Sequence, residues 1–180
     1  MRWSLPSRVA GAVLLVSMPS LAASQDEPPA RADDEARIVP HVTWSGPDSR
    51  VTRRGCFRAR NEQQWLELWE RHAGPARRDN INRPFIPRVN FDACEVVAIF
   101  EGDSHNSNGV FLCELVRAGD EWRLRYDEHT FQTAGPGGGA VAVRPFALFV
   151  VPRLDGPIVV EQNVQGLKDH PAKWKERARL

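Results

Sequence analysis

The segment at residues 146–151 is apolar at every position, so it is predicted to form a central strand that is buried on both faces of a sheet. Other runs rich in β-branched and aromatic residues predict further strands, with turn residues between them. These runs are residues 95–100, 110–116, 122–126 and 158–160, and residues 37–44 and 51–59 are two additional candidates.

One helix is predicted to follow Asn61. The side chain of Asn61 can accept a hydrogen bond at the helix N-terminus, and Gln64 can bond back to the chain, as in a capping box. Four residues fall on one face at helical spacing: Trp65, Leu68, Trp69 and His72. Gly74 and Pro75 supply the stop. We expect the two tryptophans to pack in the core.

These patterns together predict an α+β domain that is mainly β, an antiparallel and sandwich-like arrangement packed with one amphipathic helix. The chain has 180 residues, a length typical of one domain. Residues 79–89 contain two prolines and are predicted to form an ordered loop.

The first 22 residues are predicted to be a secretory signal peptide. Arg2 and Arg8 give a positive start, an apolar run follows, and Ser20 and Ala22 supply small residues for cleavage. We therefore expect an exported protein, periplasmic or secreted. No later stretch approaches the roughly 20 apolar residues of a membrane-spanning helix.

Residues 23–36 contain five acidic residues and no aromatic residue, which predicts a disordered acidic leader. The remainder, residues 37–180, is predicted to be a single globular domain with a basic C-terminal tail. Residues 50–88 carry ten basic and four acidic residues, whereas residues 89–167 carry five basic and eleven acidic residues. The opposite net charges of these two segments either neutralise each other across neighbouring elements or form two oppositely charged faces of the domain. Export makes nucleic acid a poor partner, and none is expected.

Three cysteines lie in this domain, and Cys94–Cys113 is the favoured disulfide. Strand alternation places both among apolar, core-facing neighbours, whereas Cys56 alternates with Arg58 and Arg60. The alternative, three buried free thiols, stays open.

No catalytic, cofactor-binding or metal-binding constellation is predicted. The histidines are scattered, without the spacing of a zinc site. Asp103-Ser104-His105 contains the residue types of a serine triad, but consecutive residues rarely aim their side chains at one another. The glycine patch at 135–139 lacks the Lys-Ser/Thr of a phosphate loop. We therefore expect a protein that is not an enzyme and has no cofactor.

Three segments resemble the PrcB-type domain, which is found in a subunit of a secreted bacterial protease complex. They are the Asn-Glu-Gln-Gln-Trp motif with its second tryptophan at 61–69, the Val-Asn-Phe-Asp and Glu-Val-Val-Ala-Ile-Phe-Glu-Gly runs at 89–92 and 95–102, and Arg-Pro-Phe-Ala-Leu-Phe-Val-Val-Pro at 144–152. The turn after residue 102 lacks the tyrosine that this family tends to carry. The resemblance implies a non-catalytic accessory or stabilising subunit of a protease, and it supplies no catalytic residues.

The first functional hypothesis is therefore an exported, non-catalytic binding domain whose partner is a secreted protease or another protein. Its predicted contact residues are Asp103, His105 and Asn108 in one loop and Trp174 in the tail. The tail is either a docking element or folds back on its own domain. The alternatives are a small secreted hydrolase or glycan-active protein that uses Glu101, Asp103 or His105, and a protease inhibitor that presents loops at one end of the sheet.

Overall fold

A computed structural model describes residues 37–134, 138–167 and 170–180. The predicted signal peptide and acidic leader lie outside these residues, as does most of the glycine patch. Within them the elements are β1 (Val42–Gly46), β2 (Gly55–Ala59), α1 (Glu62–Ala73), β3 (Cys94–Phe100), β4 (Ser104–His105), β5 (Ser107–Ala118), β6 (Glu121–Thr130), β7 (Ala142–Val143), β8 (Phe146–Pro152), β9 (Ile158–Asn163) and β10 (Trp174–Arg179).

The strands form two four-stranded sheets that pack face to face. The inner sheet has the order β1-β8-β3-β2 and is antiparallel throughout. The outer sheet has the order β10-β9-β6-β5, in which β6 and β9 run parallel and the other pairs are antiparallel. Strands β4 and β7 pair separately. The predicted α+β fold, mainly β with one helix, is confirmed.

Strand β8 is central in the inner sheet, as its apolar sequence predicted. Ala147, Phe149 and Val151 belong to the core between the two sheets. The intervening residues, Leu148 among them, face the opposite side and pack beneath α1. The inner sheet is therefore covered on both faces, by the outer sheet and by the helix.

The predicted helix is present with the predicted ends. Asn61 Oδ1 accepts the backbone N–H of Gln64 at 2.9 Å, while Gln64 Oε1 accepts the backbone N–H of Arg60 at 2.7 Å. Gly74 has a φ of 93° and its N–H donates to the carbonyl of Glu70. The buried side chains of the helix are Trp65, Leu68 and His72.

The C-terminal tail folds back on its own domain, which is the second of the two alternatives predicted for it. Trp174–Arg179 forms β10 at the edge of the outer sheet, paired antiparallel with β9. The charged side chains of this strand suit an edge, because charge discourages pairing with another chain. Within the described residues, no helix is long and apolar enough to cross a membrane.

Candidate functional site

The predicted contact loop lies at one end of the outer sheet. Asp103 is exposed and its carboxylate accepts a hydrogen bond from Arg144 Nε at 2.7 Å. His105 is exposed in the short strand β4, which pairs with β7, and Asn108 is exposed near the start of β5. Strand β5 begins at Ser107, three residues earlier than predicted, so part of the expected loop is strand.

Trp174 lies in β10, at the edge of the outer sheet opposite to β5. It pairs with Asn163 of β9, whose side-chain amide donates to Asp127 of β6. Three strand spacings, roughly 14 Å, separate β10 from β5. The guanidinium of Arg125 lies 5.2 Å from the centroid of the indole ring of Trp174. The fold therefore gathers the three predicted loop residues near the start of β5, whereas Trp174 lies on the opposite edge strand, level with Phe111.

The predicted Cys94–Cys113 disulfide is wrong. The thiols of Cys56, Cys94 and Cys113 are free, so the favoured Cys94–Cys113 bridge is not formed. Cys94 belongs to the inner sheet and packs on its helix side, whereas Cys113 lies in an edge strand of the outer sheet. Cys56 was expected to lie away from the core, but it packs against the cluster between the sheets.

Cys56 shares the inward face of β2 with Arg58, and a buried carboxylate neutralises both Arg58 and the partly exposed Arg60. Glu95 is completely buried, and its two oxygens accept from Arg58 Nε at 3.0 Å and from Arg60 Nε at 3.1 Å. Arg58 also donates to the carbonyl of Leu154 at 2.7 Å. These contacts connect β2, β3 and the segment after β8, so they hold the fold together.

A second buried carboxylate, Glu101, follows β3. Tyr126 Oη donates to Glu101 Oε1 at 2.7 Å, and Arg54 Nη2 lies 2.6 Å from Oε2 in an ion pair without hydrogen-bond geometry. Burial, followed by the charge of Glu101, raises the pKa of Tyr126. The same two causes raise the pKa of Cys56 to about 12. A protonated thiol is a poor nucleophile at neutral pH.

The residues of the hydrolase alternative occupy different environments. Glu101 is buried between the sheets, Asp103 is paired with Arg144 at the surface, and His105 is exposed in β4. No group of three or more potential metal ligands occurs in the part of the chain that the structure describes. Glu101 and Asp103 therefore belong to two separate pairs.

An open groove of about 1260 Å³ lies between α1 and the loop at residues 79–91. Trp65 Nε1 donates to the carbonyl of Pro87 at 2.8 Å, and this bond fixes the loop against the helix. Leu66, Phe85 and Ile86 supply apolar lining. None of the buried ion-pair residues lines this groove.

The loop beside the groove is ordered by its own side chains, as predicted. Asp79 Oδ1 accepts the backbone N–H groups of Ile81 and Arg83, and Asp79 also pairs with the Arg83 guanidinium at 3.0 Å. The loop nevertheless exposes 61% of Ile81 and 71% of Phe85. Sequence reasoning predicted the loop but missed the groove. The available signal was the adjacent apolar pair Phe85 and Ile86 within a proline- and arginine-rich segment that follows a helix with a charged outer face.

Comparisons with protein-family models, with curated proteins and with solved structures find no match to this chain. The described residues form a mainly β, two-sheet sandwich with one helix on its inner sheet and a groove along that helix.

Proposed function

We propose that this chain is an exported accessory domain that binds another protein through the groove beside α1 and performs no catalysis itself. The observation that carries the proposal is the groove of about 1260 Å³, beside which Phe85 exposes 71% of its surface. Aromatic residues next to concave surfaces are frequent energetic centres of protein interfaces.

Phe85 offers apolar surface that a partner in the groove can bury. Complete burial of such a side chain contributes about 1.5–3 kcal/mol of transfer free energy. Burial of the exposed part of Phe85 by a partner is enough to change an affinity about tenfold. The ordered backbone around Asp79 lowers the entropic cost of binding, because the loop needs little further ordering.

The non-catalytic part of the proposal is supported by how the ionisable side chains are used. Glu95 is neutralised by two arginines, Glu101 accepts from Tyr126, and Asp103 is paired with Arg144. The thiol of Cys56 is protonated at neutral pH. A hydrolase would need one of these groups free beside a cavity that admits substrate.

The proposed partner class, a secreted protease, comes from the PrcB-type sequence resemblance. Export rests on the pattern in the first 22 residues, and it is tested by the N-terminal sequence of the protein recovered from cells. A mature chain that begins close to Ala23 is the expected result. Retention of Met1 would remove the export part of the proposal.

The binding part is tested by placing a photo-crosslinking amino acid at Phe85 and, as a matched control, at Val39, which is 76% exposed and does not line the groove. Illumination in the producing cells is expected to link a protein, identified by mass spectrometry, to position 85 and not to position 39. Phe85→Ser is expected to abolish capture of the same protein by the unlabelled chain. Equal crosslinking at both positions contradicts the proposal. Dose-dependent inhibition of a captured protease would instead favour the inhibitor alternative.

A further inference from the structure

The helix wall of the groove carries an uncompensated negative charge. Glu62, Glu67 and Glu70 line this wall, and none of them forms an ion pair with another described residue. Glu67 accepts from the Gln63 amide and Glu70 from the backbone N–H of Ala76, but neither neutral donor cancels a charge.

The loop wall carries much less free charge. Arg83 and Asp79 pair with each other at 3.0 Å, so together they contribute no net charge. Among the described lining residues this leaves Arg88 as the cation without an ion pair. The remaining loop wall is largely apolar and includes Phe85 and Ile86.

We propose that the groove binds a polypeptide segment of the partner that is both basic and apolar. Its Lys or Arg side chains contact the glutamates of α1, and its apolar side chains contact Phe85 and Ile86. This inference rests on the proposed function and specifies the chemistry of the partner segment. Opposite charges across an interface favour the right partner and disfavour a segment of the wrong sign.

The experiment selects short random peptides, displayed on phage, against the purified protein. Sequences bound by the wild type are expected to be enriched in Lys, Arg and apolar residues. The double variant Glu62→Lys/Glu67→Lys reverses two charges of the helix wall and is expected to select Asp- and Glu-rich peptides. Glu67→Lys alone is the second variant, because it leaves the acidic first turn of α1 intact.

A matched control makes the same change of charge outside the groove. Asp120→Lys/Glu176→Lys alters two exposed acids that do not line the groove. Its selected peptides are expected to resemble those of the wild type. A basic peptide chosen on the wild type is expected to bind the Glu62→Lys/Glu67→Lys variant about tenfold more weakly, and added salt is expected to narrow this difference.

The outcomes separate this inference from the proposed function. If Phe85→Ser abolishes peptide binding but charge reversal leaves the selected sequences unchanged, the groove binds protein and only the basic character is wrong. If no selected peptide depends on Phe85, both proposals fail. A concentration-dependent dimer that Phe85→Ser dissociates would assign the groove to a second copy of this chain, and it would also overturn the inference.

Discussion

The phenol of Tyr126 on the outer sheet donates a hydrogen bond of 2.7 Å to Oε1 of Glu101, which follows the last residue of β3 in the inner sheet. Both residues are buried, Tyr126 completely. This bond joins the two layers of the sandwich through a buried polar contact.

Tyr126→Phe removes the donor and leaves a buried carboxylate oxygen unsatisfied, so we expect it to lower the free energy of unfolding by about 1–3 kcal/mol. Urea unfolding measures this difference. The double variant with Glu101→Gln is expected to cost less than the sum of the two single variants, because both remove the same contact. Strict additivity would show that the hydrogen bond contributes nothing to stability.

Glu95→Gln is expected to cost about 3–5 kcal/mol of stability, because it leaves the largely buried guanidinium of Arg58 without its anion. The control is Asp103→Asn, which breaks an exposed ion pair with Arg144 and is expected to cost at most about 1 kcal/mol. Urea unfolding at neutral pH measures the cost of each variant. Similar costs for the two variants would contradict the structural role assigned to Glu95.

Burial lowers the pKa of His72 below its ordinary value of 6.5, and Ser49 Oγ lies 3.1 Å from its Nδ1. The folded state therefore binds a proton at this site less readily than the unfolded state. Its contribution to stability is fully present above pH 6.5 and is lost as the pH falls through the lowered folded-state pKa.

Between pH 6.5 and the lowered folded-state pKa of His72, His72→Gln is expected to make the free energy of unfolding less dependent on pH. Urea unfolding at a series of pH values measures this dependence. His105→Gln removes an exposed imidazole and serves as the reference variant. If the wild type gains stability on acidification and His72→Gln abolishes that gain, the assignment of a neutral buried His72 is wrong.

The free cysteines predict that the unfolded, non-reduced chain reacts with thiol reagent at Cys56, Cys94 and Cys113. In the folded protein Cys56 is expected to react slowly at neutral pH, because its pKa is about 12 and the thiolate is the reactive form. Intact-mass measurement counts the modified thiols. A single reactive thiol in the unfolded, non-reduced chain would instead support a disulfide.

The sequence alone determined the elements whose signals are local. Asn61 and Gly74 mark the two ends of α1, and the spacing of Trp65 and Leu68 defines its buried face, because capping and helical periodicity depend on residues a few positions apart. The apolar segment of β8 likewise indicated a strand buried on both faces.

Only the tertiary structure decided how these elements meet. The inward position of Cys56 depends on Glu95, which lies 39 positions later and neutralises the arginines beside it. The parallel pairing of β6 with β9, the return of the tail as β10, and the groove between α1 and Phe85 also join segments that are distant in sequence. Local pattern carries no information about such contacts, because their free energy arises only when the chain has brought the partners together.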